Sequence, residues 1–198
     1  MNLTPSDALS GVVRSTVDTA HGKVQFRSAG MASQVTHVLL HGIGSASASW
    51  DAQLAWAQDR SDVGVLAWDA PGYGASTPVG PLEPQASDYA ARLWAWLDAL
   101  SCRSPVVLVG HSLGALMAAS AALAQPERVA RLLLLSPARG YGDAPAVERQ
   151  RMVAGRLANL QQLGPQGMAQ ARAAAAFGGS FGAALSGLDA VFLCRGAR

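Results

Sequence analysis

The chain has 198 residues, half of them hydrophobic, which suits one domain with a sizeable core. Its formal net charge is +2 and its arginines are scattered, which argues against a nucleic-acid-binding surface. The two cysteines, Cys102 and Cys194, match no metal-ligand spacing, so we expect reduced thiols and no metal site. With no signal-peptide pattern and no apolar run long enough to span a bilayer, the sequence predicts a cytoplasmic protein without a membrane partner.

Short apolar runs alternate with helical patterns along the first 136 residues. Two alternating runs, 13–18 and 23–27, flank His21 and Gly22 and predict a β-hairpin. Apolar runs predict buried strands at 35–40, 63–68, 105–110 and 129–136, and helical spacing predicts helices at 50–58, 84–100 and 115–124. Because such strands form mostly parallel sheets covered on both faces, the predicted fold class is α/β.

The stretch Gly110-His111-Ser112-Leu113-Gly114 separates an apolar strand from an Ala-rich helix. A G-x-S-x-G pattern in this context predicts a nucleophile elbow, in which Ser112 occupies a strained turn with its hydroxyl exposed. Gly110 and Gly114 lack a Cβ atom and allow the strand and helix to approach closely. The alternative is a Gly-rich turn with a solvated serine, which the strand and helix on either side disfavour.

A second Gly-rich segment, His41-Gly42-Ile43-Gly44, follows the strand predicted at 35–40. In this geometry an oxyanion hole uses the backbone N–H after the nucleophile, here that of Leu113, and one from this loop, for which we choose Ile43. His41 is interpreted as a structural residue that forms hydrogen bonds within the loop, with a role as the general base as the alternative. An ordinary strand-to-helix loop remains the alternative for the whole segment.

Aspartate and tryptophan side chains near these loops have two interpretations each. Asp69 opens a Pro- and Gly-rich loop, and we expect it to hold that loop through backbone hydrogen bonds, with a direct catalytic role as the alternative. Trp50 could form a wall of a substrate pocket or belong to the core. Trp94 and Trp96 stand two residues apart on one predicted helix, so we expect one in the core and the other partly exposed.

Together the segments 41–44, 69–76 and 110–114 resemble the α/β-hydrolase family, and residues 50–53 resemble its 3-oxoadipate enol-lactonase-like esterase branch. The resemblance implies a sheet of up to eight mostly parallel strands, with a helical cap inserted after the sixth. It therefore implies a core at 1–136 and the start of a cap at 137–177. A serine nucleophile fits acyl transfer, so the implied reaction is hydrolysis of carboxylic esters or lactones. No cofactor motif is present.

The sequence departs from the family where the catalytic base is expected. The family order is serine, then Asp or Glu, then histidine. All four histidines precede Ser112: His21, His37, His41 and His111. The base is therefore absent, and Asp143 is the candidate acid. We expect impaired hydrolysis, with a non-catalytic fragment or binding remnant, or assembly with a chain that supplies a histidine, as alternatives.

The last two strands of the implied sheet are also missing, and residues 178–198 resemble an irregular, frameshifted or prematurely stopped tail. We therefore expect a C-terminally truncated member in which strand 132–136 becomes an exposed apolar edge. Arg139 could pair with a carboxylate of a small-molecule ester or lactone substrate, or could be a solvated loop residue. The sequence does not predict the oligomeric state.

Overall fold

The computed structural model describes residues 11–138 and 142–177, in which the chain forms six strands and four helices. The strands are β1 Val13–Thr19, β2 Gly22–Ala29, β3 His37–Leu40, β4 Val65–Trp68, β5 Val106–His111 and β6 Val129–Leu135. The helices are α1 Asp51–Ala57, α2 Ala86–Ala99, α3 Leu113–Ala124 and α4 Ala146–Phe177. Every strand and helix predicted in the first 136 residues is present.

The six strands form one sheet in the order β1-β2-β4-β3-β5-β6. β1 pairs with β2 as the predicted hairpin, and β2 is also antiparallel to β4. β4, β3, β5 and β6 run parallel to one another, which confirms the mostly parallel α/β fold. Because the carboxyl ends of parallel strands share one edge, the segments that follow β3, β4, β5 and β6 meet there.

Alternating side chains place two hydrophobic cores on opposite faces of the sheet. Val38 and Leu40 of β3 pack in the core that includes α2 and α3, whereas Leu39 packs in the core that includes α1. On the first face Trp68 stacks on Trp96 with ring centroids 5.9 Å apart. The sheet is therefore covered by α1 on one face and by α2 and α3 on the other.

The tryptophans of α2 differ from the expectation, because both are buried. Trp94 is 3% exposed and Trp96 is fully buried. The Trp94 indole N–H donates to the carbonyl of Ala121 on α3, and the Arg128 guanidinium lies 4.6 Å from the Trp94 ring centroid. The prediction of a partly exposed tryptophan was wrong because α2 is covered by α3 as well as by the sheet.

Strand β6 lies at one end of the sheet and is strongly apolar. Within the described residues it pairs only with β5. The side chains of Leu132, Leu133, Leu134 and Leu135 are 39–43% exposed. An exposed edge of this kind can template the addition of another strand. The prediction of an exposed apolar edge is confirmed for these residues.

The chain divides into two compact units, residues 1–138 and 139–198. In the second unit, α4 is interrupted at Gly164, where φ is 63° and ψ is 177°. The domain limits at 136 and 177 stay predictions, and the predicted tail at 178–198 falls outside the described residues. None of the described helices has the length and apolar content needed to cross a membrane.

Candidate active site

Ser112 lies at the turn between β5 and α3 in a backbone conformation that few residues adopt. Its φ is 54° and its ψ is −113°. Such a conformation costs about 1–3 kcal/mol in a residue with a side chain and persists only where the surroundings impose it. Here the Ser112 N–H donates to Leu135 (3.0 Å), and the Ser112 carbonyl accepts from Ala115 (3.1 Å) and Ala138 (3.2 Å). The end of β6 and the start of α3 thus hold the strained turn.

Two glycines allow the turn to fit between the sheet and α3. A Cβ atom at Gly110 would lie 2.6 Å from the Cα of Ala115. A Cβ atom at Gly114 would lie 2.7 Å from the carbonyl oxygen of His41 and closer still to that of Leu40. All of these neighbours are backbone atoms, which cannot rotate away. The first turn of α3 therefore packs directly against the end of β3.

The loop after β3 passes beside the serine. A Cβ atom at Gly42 would lie 3.1 Å from the Cβ of Ser112 and 3.1 Å from Nδ1 of His111. Ile43 follows Gly42, with 42% of its surface exposed. Leu113 is the first residue of α3, where backbone N–H groups have no acceptor within the helix. The two predicted oxyanion donors therefore belong to segments that flank Ser112.

His41 is buried and both of its ring nitrogens are engaged. Nε2 accepts a hydrogen bond from the N–H of Ala70 (3.0 Å), so the proton of the neutral ring belongs on Nδ1. Nδ1 then donates to the Gly42 carbonyl (2.8 Å). Burial lowers the pKa of His41, against the opposing effects of the Gly42 hydrogen bond and the Asp69 charge. These contacts fit the predicted structural role.

The His41 contact has a consequence for the next peptide group. In a planar trans peptide the C=O and the N–H point in opposite directions. The Gly42 carbonyl points toward His41, so the N–H of Ile43, which belongs to the same peptide, points away from it. His41 thereby fixes the orientation of a predicted oxyanion donor.

Asp69 connects the loops that follow β3 and β4. Its carboxylate accepts a hydrogen bond from the N–H of Ser47 (2.7 Å), and its carbonyl accepts one from the Ser76 hydroxyl (2.6 Å). Asp69 is 4% exposed. These bonds agree with the loop-holding role that the sequence predicted for Asp69.

Tyr73, in the same loop, was missed by the sequence analysis. Its hydroxyl accepts a hydrogen bond from the N–H of Gly44 (3.2 Å), and its ring packs edge-on against His41 at a centroid distance of 4.8 Å. The only signal in the sequence was an aromatic residue among small ones.

The other predicted site residues are Trp50, Asp143 and Arg139. Trp50 is 6% exposed and packs in the core with Leu39 and Leu54, so the structure favours the core alternative over a pocket wall. Asp143 is exposed in the turn before α4, in the second compact unit. Arg139 lies outside the described residues.

The remaining histidines take different positions, and none forms a metal site. His111 is exposed at the end of β5, His21 lies in the hairpin turn, and His37 starts β3 with its Nδ1 2.7 Å from the Thr36 hydroxyl. In residues 11–138 and 142–177, no group of three or more His, Cys, Asp or Glu side chains is placed to hold a metal ion.

The sequence and the fold both resemble those of known proteins. The sequence profile described as the alpha/beta hydrolase family matches residues 38–197. The chain belongs to the alpha/beta hydrolase family. This family member is similar to a hydrolase from Pseudomonas aeruginosa PA01, with a TM-score of 0.66 and 29% identity over 91% of this chain and 66% of that one. It is also similar to a carboxylesterase from Bacillus subtilis, with a TM-score of 0.58 and 29% identity over 69% of this chain and 48% of that one.

Among curated relatives, the (E)-2-((N-methylformamido)methylene)succinate hydrolase of Acinetobacter baylyi is 29% identical over 99 residues. The match covers 50% of this chain and 36% of that protein. The chain spans about a third of the length of the curated relatives it matches. A membrane phospholipase A is also similar to this hydrolase family member, with a TM-score of 0.59 and 27% identity over 66% of this chain and 41% of that one.

The buried His41 predicts a loss of stability in acid. Its pKa in the folded chain is below the ordinary value of about 6.5, so below that pH the unfolded chain binds a proton that the folded chain does not. The free energy of unfolding should therefore fall as pH decreases from 6.5, by at most about 1.4 kcal/mol per pH unit from this group. Urea denaturation at a series of pH values measures that slope.

A His41→Gln variant should show a smaller slope between pH 6.5 and the lowered pKa, whatever its stability at neutral pH. His37 adds to the slope of both proteins, because burial lowers its pKa as well. The matched control is His21→Gln, in the exposed hairpin turn, which leaves the buried His41 in place. Equal slopes in His41→Gln and the unsubstituted chain would contradict the prediction.

Proposed function

We propose that the described core carries the acyl-transfer machinery of a serine hydrolase that acts on carboxylic esters or lactones. The hydroxyl oxygen of Ser112 attacks the carbonyl carbon, the Ser112 proton passes to the departing alkoxide oxygen, and water then attacks the acyl-enzyme, which releases the carboxylic acid and restores the Ser112 hydroxyl. The N–H groups of Ile43 and Leu113 stabilise the oxyanion. The observation that carries this proposal is the strained backbone of Ser112, with φ at 54°, at the start of a helix and beside the Gly42 loop.

Activation of Ser112 is the weak step in this mechanism. The sequence has no histidine after residue 112, and both nitrogens of His41 are committed to Ala70 and Gly42. Removing the histidine of a serine triad costs about 10⁶-fold in rate, while an oxyanion hole and binding alone retain about 10³–10⁴-fold over water. We therefore propose that these 198 residues on their own hydrolyse esters slowly. The alternative is a non-catalytic binding remnant.

The substrate proposal is narrower than the family. The relative from Acinetobacter baylyi is named as the hydrolase of a succinate derivative, and residues 50–53 resemble the enol-lactonase-like branch. We propose an ester or lactone that carries a carboxylate, for which Arg139 is the partner to test. Asp143 stays the proposed acid of the triad, and the cytoplasm the proposed location.

A fluorophosphonate probe tests the proposed nucleophile. The probe phosphorus forms a bond with the serine oxygen as fluoride leaves, so covalent labelling reports directly on an activated serine. We expect the chain to be labelled at Ser112, as mapped by peptide mass spectrometry, and to hydrolyse p-nitrophenyl acetate slowly. The Ser112→Ala variant should lose both the labelling and the turnover.

Ser120→Ala is the matched control, because Ser120 lies on α3, about two turns beyond Ser112. It should be labelled at the same rate as the unsubstituted chain. Failure of Ser112 to react in a correctly folded chain would support the non-catalytic alternative. Turnover that survives in Ser112→Ala would assign the activity to another group.

A further inference from the structure

Tyr73 contacts the oxyanion loop at the residue after the predicted donor. Its hydroxyl oxygen lies 3.2 Å from the backbone nitrogen of Gly44, which donates to it. The backbone of Tyr73 is itself fixed, because its N–H donates to Ala70 (2.8 Å) and its carbonyl accepts from Ser76 (2.9 Å). A well-anchored side chain from the loop after β4 thus holds the loop after β3.

Two side chains hold the two peptide groups on either side of Ile43. The peptide that joins Gly42 to Ile43 is held at its carbonyl by His41. The peptide that joins Ile43 to Gly44 is held at its N–H by Tyr73. Because the two torsions of a residue set the relative orientation of its flanking peptides, these bonds together fix the conformation of Ile43.

Gly44 explains why the second bond matters. Its φ is 69°, a region that glycine enters without steric cost. Glycine has equally easy alternatives, so the peptide before Gly44 could rotate if nothing held its N–H. Such a rotation would change the torsions of Ile43 and with them the direction of its N–H. The Tyr73 hydroxyl opposes this rotation.

We propose that Tyr73 is a positioning residue for the oxyanion hole, and that it acts through Gly44 without touching the substrate. The catalytic consequence rests on the proposed function, whereas the effect of Tyr73 on the loop does not. Tyr73→Phe tests the hydroxyl alone, because phenylalanine keeps the ring against His41 and removes only the hydroxyl. Tyr89→Phe is the matched control, since Tyr89 lies near Tyr73 but on α2.

Hydrogen exchange of the Gly44 amide, followed by NMR, tests the hold on the loop. Loss of one neutral hydrogen bond should speed exchange at Gly44 about fivefold in Tyr73→Phe and leave it unchanged in Tyr89→Phe. The second measurement is the rate constant for fluorophosphonate labelling of Ser112, which should fall about fivefold in Tyr73→Phe. With p-nitrophenyl acetate, kcat should fall by the same factor at unchanged KM.

The outcomes distinguish a failure of the Tyr73 proposal from a failure of the proposed function. Unchanged Gly44 exchange in Tyr73→Phe would overturn the proposal whether or not Ser112 reacts. Faster Gly44 exchange with an unchanged rate of Ser112 labelling would overturn the positioning role of Tyr73. A lower Tm with no change in either rate would show that Tyr73 has only a structural role. If Ser112 is unreactive in the unsubstituted chain, the proposed function fails, and the exchange measurement still decides whether Tyr73 holds the loop.

Discussion

An Asp51→Asn variant should lose about 3–5 kcal/mol of the free energy of unfolding, because it leaves a buried guanidinium without its counter-charge. Asp51 begins α1, and its carboxylate pairs with the guanidinium of Arg27 on β2. The two side chains are only 18% and 11% exposed. Asparagine keeps the shape of the side chain and removes the charge. The lost free energy of unfolding therefore measures the cost of burying the Arg27 charge without a counter-charge.

The control for this prediction is the double variant Arg27→Met with Asp51→Leu. Replacing both charges with apolar groups of similar volume is often neutral or even stabilising, so most of the lost stability should return. Urea denaturation of the single and double variants measures both values. A cost below about 1 kcal/mol for Asp51→Asn would show that the pair behaves like a surface ion pair.

Gly114→Ala should cost at least about 3 kcal/mol, at the upper end of what overpacking usually costs. The added methyl group would overlap the carbonyl oxygen of Leu40 and lie 2.7 Å from that of His41. Both neighbours belong to the backbone at the end of β3, so the helix would have to move away from the sheet. The same movement would displace Ser112, so we expect loss of fluorophosphonate labelling in the folded fraction.

Gly155→Ala provides the comparison, because Gly155 lies within α4 and has open space where an added Cβ atom would lie. Alanine there should be neutral or stabilise the helix by up to about 1 kcal/mol. Chemical denaturation and labelling of both variants check the prediction. A Gly114→Ala variant with unchanged stability and labelling would show that α3 does not pack on β3 as closely as the structure has it.

The elements of the core could be predicted because each depends on local sequence. The strands are short apolar runs, and the elbow is a glycine pattern between a strand and a helix. Such features need no knowledge of which distant residues meet. The edge position of β6 does need it: it was predicted from the family resemblance together with the missing last strands, and among the described residues β6 lies at one end of the sheet.

The partners of the site residues could not be predicted, because they come from other segments. His41 binds the N–H of Ala70, and Gly44 binds Tyr73, in each case 29 residues away along the chain. Trp50 faces the core for a similar reason, since only the position of α1 decides which face of the sheet it covers. The burial of Trp94 required the position of α3.

The support of the elbow also sets the order in which it can form. The Ser112 N–H needs the carbonyl of Leu135, and Gly114 packs against the carbonyl of Leu40, so three segments that are far apart in the sequence must meet around one turn. During synthesis the turn cannot be complete before Leu135 has left the ribosome. If Ser112 reacts only in the completed turn, covalent labelling of Ser112 as a function of time would measure how fast the parallel strands assemble.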